Sequence, residues 1–221
     1  MALNFLITGT APRVGKTMVG CALAFAFKVR ALRVGVMKPV QTGCPEAEGV
    51  LVADDAASLI AAASAELALE LACPYRYRSA LEPAAAAIAD AAAPPVSAQI
   101  ERAWREIAAA SDVTLVEDAS GLAAPIQWDY NYADLARALG LELIVVAANN
   151  PGFINAAALT FDYAARHGLE VRGFILNALN REASETVRRD AELLARAAAA
   201  PCLGTVRFKE PLALNIVERL L

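Results

Sequence analysis

Six short, mostly apolar runs recur along the chain, LNFLIT, RVGVMK, VTLVE, LELIVVAA, VRGFILN and CLGTVR, with longer helical stretches between them. Runs that are apolar nearly throughout belong to strands buried on both faces. The helical stretches between them supply the crossovers that parallel strands require. The pattern predicts an α/β fold, a parallel sheet with helices on both faces, formed by residues 1–221 as a single domain. Helices are expected to begin near Gly15, Asp54, Ser97, Tyr130, Phe153 and Ala183, with a last one near Pro211. The alanine tracts AAAAIADAAAPP and LLARAAAAP read as helix or helix edge, because alanine favours helix and the proline after each cannot continue one.

Directly behind the first run stands GTAPRVGKT, residues 9–17. Strand, glycine turn, then GKT opening a helix is the setting in which a phosphate-binding loop works. Five residues separate Gly9 from Gly15, one more than in the standard G-x-x-x-x-G-K-[ST] spacing. The physical parts are nevertheless present. Gly15 permits close backbone approach, and the amides from Gly15 through Thr17 to Met18 sit at a helix N-terminus. Lys16 can reach bridging and terminal phosphate oxygens, and Thr17 can hold magnesium. The expected fold is therefore P-loop NTPase-like, with ATP and Mg2+ as cofactors.

Further stretches end other strands of the predicted sheet, where ligands of open α/β folds bind. In VMKPVQTG, Lys38 can neutralise charge on a transferring phosphoryl group, and Thr42 can donate a hydrogen bond to it. Asp55 and Glu117 are the candidate carboxylates for magnesium, which takes one or two beside the phosphates. Asp54 reads equally well as a helix cap. Glu117 follows VTLV, and an acid there is expected outside the core, at the strand end beside Thr17. NNPGFINAAAL places the amides of Phe153, Ile154 and Asn155 at a second helix start, an anion site suited to a substrate carboxylate. Asn177 ends the FILN run and can read a purine edge or cap a turn.

Charge and composition narrow the class. A net charge of −4 excludes a general nucleic-acid binder, which needs a basic stripe. No run approaches the roughly 20 apolar residues that span a bilayer, so no membrane partner is expected. MALNFLIT has no basic stretch ahead of its apolar residues, and the expected location is cytoplasmic. Cys21, Cys44, Cys73 and Cys202 are scattered without a zinc spacing and read as reduced structural thiols. The single histidine, His167, precedes Gly168 in AARHGLE and reads as a helix end, which argues against hydrolase triads.

In this order, the stretches resemble the dethiobiotin synthetase family over essentially the whole chain. The family's GTDTxVGKT corresponds to Gly9–Thr17 and its KPVxxG to Lys38–Gly43. Its DA-xx-L falls on Asp55–Leu59, its PY and EP on Pro74–Tyr75 and Glu82–Pro83, and its VEGAGG on Val116–Gly121. Its LGxIN falls on Pro151–Asn155 and its strand-ending asparagine on Asn177. The resemblance implies ATP-dependent closure of a cyclic urea on 7,8-diaminopelargonate and CO2, through a carbamate that takes the γ-phosphoryl group. It implies Lys16 and Lys38 bracketing carbamate and γ-phosphate, with Thr42 touching the carbamate. Thr17, Asp55 and Glu117 would hold magnesium, the amides near Asn155 would hold the substrate carboxylate, and the chain would form a homodimer. Where the family carries Gly-Ala-Gly-Gly, this chain has Asp118, Ala119, Ser120 and Gly121. Positive φ at Asp118 or Ser120 would cost about 1 kcal/mol each. Pro12 and Arg13 also depart from the family's loop, and Ala156 stands where a histidine is frequent. The competing readings are a cobyrinic acid diamide synthase-like amide ligase, a ParA- or MinD-like switch ATPase and a non-catalytic relative. The first usually carries a glutaminase domain, and the second a lysine inside the phosphate loop.

Overall fold

The computed structural model describes residues 2–221. Its frame is a six-stranded sheet of β1 (Leu3–Gly9), β2 (Val34–Met37), β3 (Val113–Glu117), β4 (Glu142–Ala148), β5 (Val171–Asn177) and β6 (Cys202–Val206). The spatial order is β6-β5-β4-β1-β3-β2, and every neighbouring pair is parallel. From β1 the chain runs outward to β2, whereas from β4 it runs the opposite way to β5. Connections that diverge from adjacent strands leave a crevice at their C-terminal ends, here between β1 and β4.

Strand alternation sorts the core into two faces. Phe5 and Ile7 pack against α1 (Lys16–Val29), α2 (Asp54–Ala63) and the 3-10 turn Leu214–Arg219. On the opposite face, Leu6 and Val116 meet α3 (Ser97–Ala109) and α4 (Tyr132–Leu139). There too, Val145 and Ala147 meet α5 (Phe153–Arg166) and α6 (Arg181–Ala198).

All six predicted strands are present, and four helices begin within one residue of expectation, at Lys16, Asp54, Ser97 and Phe153. Helix α4 starts at Tyr132, not Tyr130, because Tyr130–Asn131 first pairs antiparallel with Pro125–Gln127. Asn131 then closes a capping box, its Oδ1 accepting from the Ala133 and Asp134 amides at 2.8 and 3.2 Å while the Asn131 amide donates to Asp134 Oδ2 at 3.1 Å. Helix α6 starts two residues before Ala183, since Asn180 is its cap and accepts from the Ala183 amide at 2.7 Å. The element near Pro211 is only the 3-10 turn. His167 ends α5, its Nδ1 lying 2.8 Å from the Tyr163 carbonyl, and Gly168 follows at φ 65°. The two- and three-residue ladders, Val40–Gln41 with Tyr75–Arg76 among them, are too short to leave a periodic signal. No helix among the described residues is long and apolar enough to cross a membrane.

Candidate active site

The stretch from Gly9 to Thr17 folds back over the end of β1 and enters α1 through Gly15, at φ 97°. A Cβ on Gly15 would lie 2.3 Å from Asn177 Nδ2, so glycine is required there by both backbone angle and space. Among the described residues, no acceptor takes the amides of Gly15, Lys16, Thr17 or Met18. Four free donors at a helix N-terminus, with the helix dipole behind them, form an anion cradle. The Thr10 amide stays outside it, bonded to the Val146 carbonyl at 3.0 Å. The loop's extra residue comes with Arg13 at φ 60°, a left-handed conformation that costs about 1–2 kcal/mol for a residue with a side chain.

Two strands away, beyond β3, Lys38 leaves β2 with 4% exposure and places its Nζ 2.6 Å from both Asp55 Oδ2 and Glu117 Oε1. Burial works against the Lys38 charge, but the two carboxylates outweigh it and hold the ammonium above its usual range. Glu117 Oε1 also accepts from the Thr17 hydroxyl at 2.8 Å. Thr17, Lys38, Asp55 and Glu117, separated by as much as 100 residues in sequence, thus meet at one point beside the cradle. Contrary to the expectation from sequence, Glu117 is in the core, with 1% exposure. It is tolerated because Lys38 and Thr17 compensate it. Burial nonetheless raises its pKa, with Lys38 and Thr17 pulling it back down.

The same point suits magnesium. Two carboxylates and a hydroxyl are hard oxygen donors, and Glu117 Oε2 is buried with no hydrogen-bond partner. No group of three or more His, Cys, Asp or Glu side chains gathers among the described residues, so the remaining ligands would have to be water and phosphate. Asp54 is not the cap of α2. Ala53 occupies that position, and Asp54 accepts from the Gln41 side chain while Gln41 Oε1 takes the Ala56 amide at 3.1 Å. Gln41 carried no sequence signal for this bracing role. Thr42 follows it, half-buried beside Gly43 at φ 71°, and no hydrogen bond of its side chain occurs among the described residues.

The stretch after β3 resolves the question raised by its missing glycines. Only Gly121 has positive φ, at 145°, so Asp118, Ala119 and Ser120 sit without that strain. Asp118 is fully buried and its Oδ1 lies 3.4 Å from Lys16 Nζ, an ionic contact that is not aligned as a hydrogen bond.

At the start of α5 the Phe153 amide already bonds the Asn150 carbonyl at 3.1 Å, which removes it from the expected anion site. Ile154 and Asn155 keep free amides. Asn155 lines a groove of about 740 Å³ that runs from Gly9 and Thr10 past Ser120 and Gly121 to Asp162 and Tyr163. Asn177 spends its Nδ2 on the Val14 carbonyl at 2.9 Å and so braces the phosphate loop from beneath, the turn-stabilising alternative read for it.

A parallel sheet whose first strand turns through a free-amide cradle into a helix, with lysine, threonine and carboxylates beside it, defines a P-loop NTPase-like protein. Solved structures agree on the fold. A ParA family ATPase from Chlorobium tepidum TLS matches with a TM-score of 0.56 at 12% identity, covering 99% of this chain and 89% of its own. The MinD cell division protein of Aquifex aeolicus matches with a TM-score of 0.55 at 14% identity, covering 99% and 86%. A family model described as an AAA domain matches residues 4–214. The ATP-dependent dethiobiotin synthetase BioD of Anaeromyxobacter dehalogenans (strain 2CP-C) is 38% identical over 211 residues, 96% of this chain and 88% of the relative. The protein of the same name from Pseudomonas aeruginosa (strain UCBPP-PA14) is 35% identical, over 91% and 88%. The chain belongs to the ATP-dependent dethiobiotin synthetase family.

Proposed function

We propose that the chain closes the ureido ring of dethiobiotin from 7,8-diaminopelargonate, CO2 and ATP, a step of biotin biosynthesis. The observation that carries this reading is the meeting of Thr17, Lys38, Asp55 and Glu117 beside the amide cradle. Family membership supplies the substrate class.

The amides of Gly15 to Met18 and the ammonium of Lys16 take the phosphates, and Asn177 keeps the loop in shape for them. Magnesium, held by Thr17, Asp55 and Glu117, would neutralise charge on the terminal phosphates. Lys38 stands close enough to shield the carbamate oxygens from phosphate repulsion while the γ-phosphoryl group is transferred, with Thr42 as a second donor. The groove holds the aliphatic chain, and the free amides of Ile154 and Asn155 bind its carboxylate. The substrate's own amine is the nucleophile for ring closure, so positioning and charge neutralisation are the protein's main contributions. In this reading the chain is a cytoplasmic homodimer. In support of a second protomer, Leu159 lines the groove with 64% of its surface exposed.

Incubation with diaminopelargonate, bicarbonate, ATP and magnesium should release dethiobiotin and ADP in equal amounts. ATP turnover that ignores diaminopelargonate, or failure to complement a biotin auxotroph lacking this step, would contradict the assignment.

A further inference from the structure

Lys16 does not lie over the amide cradle. Its stem bends back across Gly9, where a Cβ would stand 3.1 Å from Lys16 Cδ, and its ammonium faces Asp118. The electrostatics account for this. Four unpaired N–H groups and a helix dipole repel a cation in the absence of an anion, and Asp118 is the carboxylate within reach. Both partners are buried, with 5% and 0% side-chain exposure, so water screens the pair little.

Asp118 cannot follow the lysine when it moves. Its amide continues the sheet ladder to the Ile7 carbonyl at 3.2 Å, which fixes its backbone. Neither of its oxygens accepts a hydrogen bond, and the groove is lined by Ser120 and Gly121 on its flank, not by Asp118 itself. Ser120 Oγ is buried and unpartnered, and the Tyr132 OH is buried beside the Ala119 backbone, where burial first and the Asp118 charge second disfavour its ionisation.

We propose that Asp118 is a positioning residue for Lys16, and that the Lys16–Asp118 ion pair is a latch that phosphate binding must open. The inference rests on the nucleotide reading of the cradle. Capture of the ammonium by a β- or γ-phosphate leaves a buried carboxylate without its counter-ion, which opposes binding. Asp118 therefore acts through Lys16 to weaken affinity for ATP while leaving the cradle empty of cation until a phosphate arrives.

Calorimetric titration of the full chain with ATP and magnesium, and separately with AMP, tests the latch in Asp118→Asn and Asp118→Gly. The second variant carries the glycine that the family has at this position. The latch predicts an ATP dissociation constant about tenfold lower in the variants, with the constant for AMP unchanged because AMP has no phosphate that reaches Lys16. In turnover, KM for ATP falls by more than kcat changes. An ATP constant that stays level or rises in the folded variants, or an equal gain for AMP, would overturn the latch. A wild-type chain that binds no ATP would overturn the nucleotide reading and the latch with it, and that result is visible before any variant is compared.

Discussion

Replacing Lys38 with methionine keeps most of the apolar stem and deletes the charge that compensates Glu117. Asp55 is 38% exposed and can return to water, but Glu117, at 1%, cannot. Removing one partner of a buried ion pair costs about 3–5 kcal/mol, chiefly because the other charge is left unpaired. In a chain of this size each kcal/mol lowers Tm by about 2–4 °C, so Lys38→Met should melt about 6–20 °C below wild type at pH 7. The pH dependence has a definite sign. Glu117 already titrates above its reference value of 4.5, and loss of Lys38 moves it further up. A carboxyl raised in the folded state weakens the fold as pH rises through its unfolded value. The deficit should therefore be smallest near pH 5 and widest above neutrality. Lys38 itself contributes fully below its unfolded value of 10.5, and by pulling Glu117 back down it makes the wild-type loss across that interval smaller than the variant's. Adding Glu117→Gln to Lys38→Met should restore most of the stability but none of the turnover, which falls by about two orders of magnitude. Scanning calorimetry of both variants at pH 5 and pH 8 is the assay. A single variant within about 1 kcal/mol of wild type at pH 8, or a double variant no more stable than the single, would refute the reasoning.

Gly15→Ala combines left-handed strain with displacement of the Asn177 amide from the Val14 carbonyl. It should cost about 2–5 kcal/mol in urea denaturation and abolish ATP-dependent stabilisation. Asn131→Ala removes the capping box of α4 and should cost about 1–2 kcal/mol in the same assay. Asp112 is held down to about 2, first by the Arg33 guanidinium and then by the Arg33 amide. Its contribution is present above the unfolded value of 3.8 and lost as pH falls toward 2, so Asp112→Asn and wild type should converge in acid unfolding below pH 2.

Much of this architecture is legible in the sequence because it depends on local pattern. Near-continuous apolar runs such as LELIVVAA admit few fates besides a strand covered on both faces, and Gly15 before Lys16 and Thr17 marks a helix entry whatever surrounds it. Side-chain direction is another matter. That Lys38 reaches Glu117 across 79 residues, or that Asn177 turns toward the phosphate loop, depends on the strand order β5-β4-β1-β3-β2, which periodicity does not encode. The burial of Glu117 escapes the sequence for a related reason: an acid after VTLV is excluded from a core only if nothing opposite compensates it, and the compensating lysine follows another strand. The Phe153 amide was lost to a turn bond at Asn150, a detail of loop closure below the resolution of a motif.

In the proposed function the amides of Gly15 to Met18, with the Lys16 ammonium, hold a triphosphate. Amide-resolved NMR during titration with ATP and magnesium tests it directly. Gly15, Lys16, Thr17 and Met18 should show large shifts that saturate together, while Thr10, already bonded to Val146, moves little. Saturating nucleotide that leaves those four signals in place, or shifts found only at the start of α5, would contradict it.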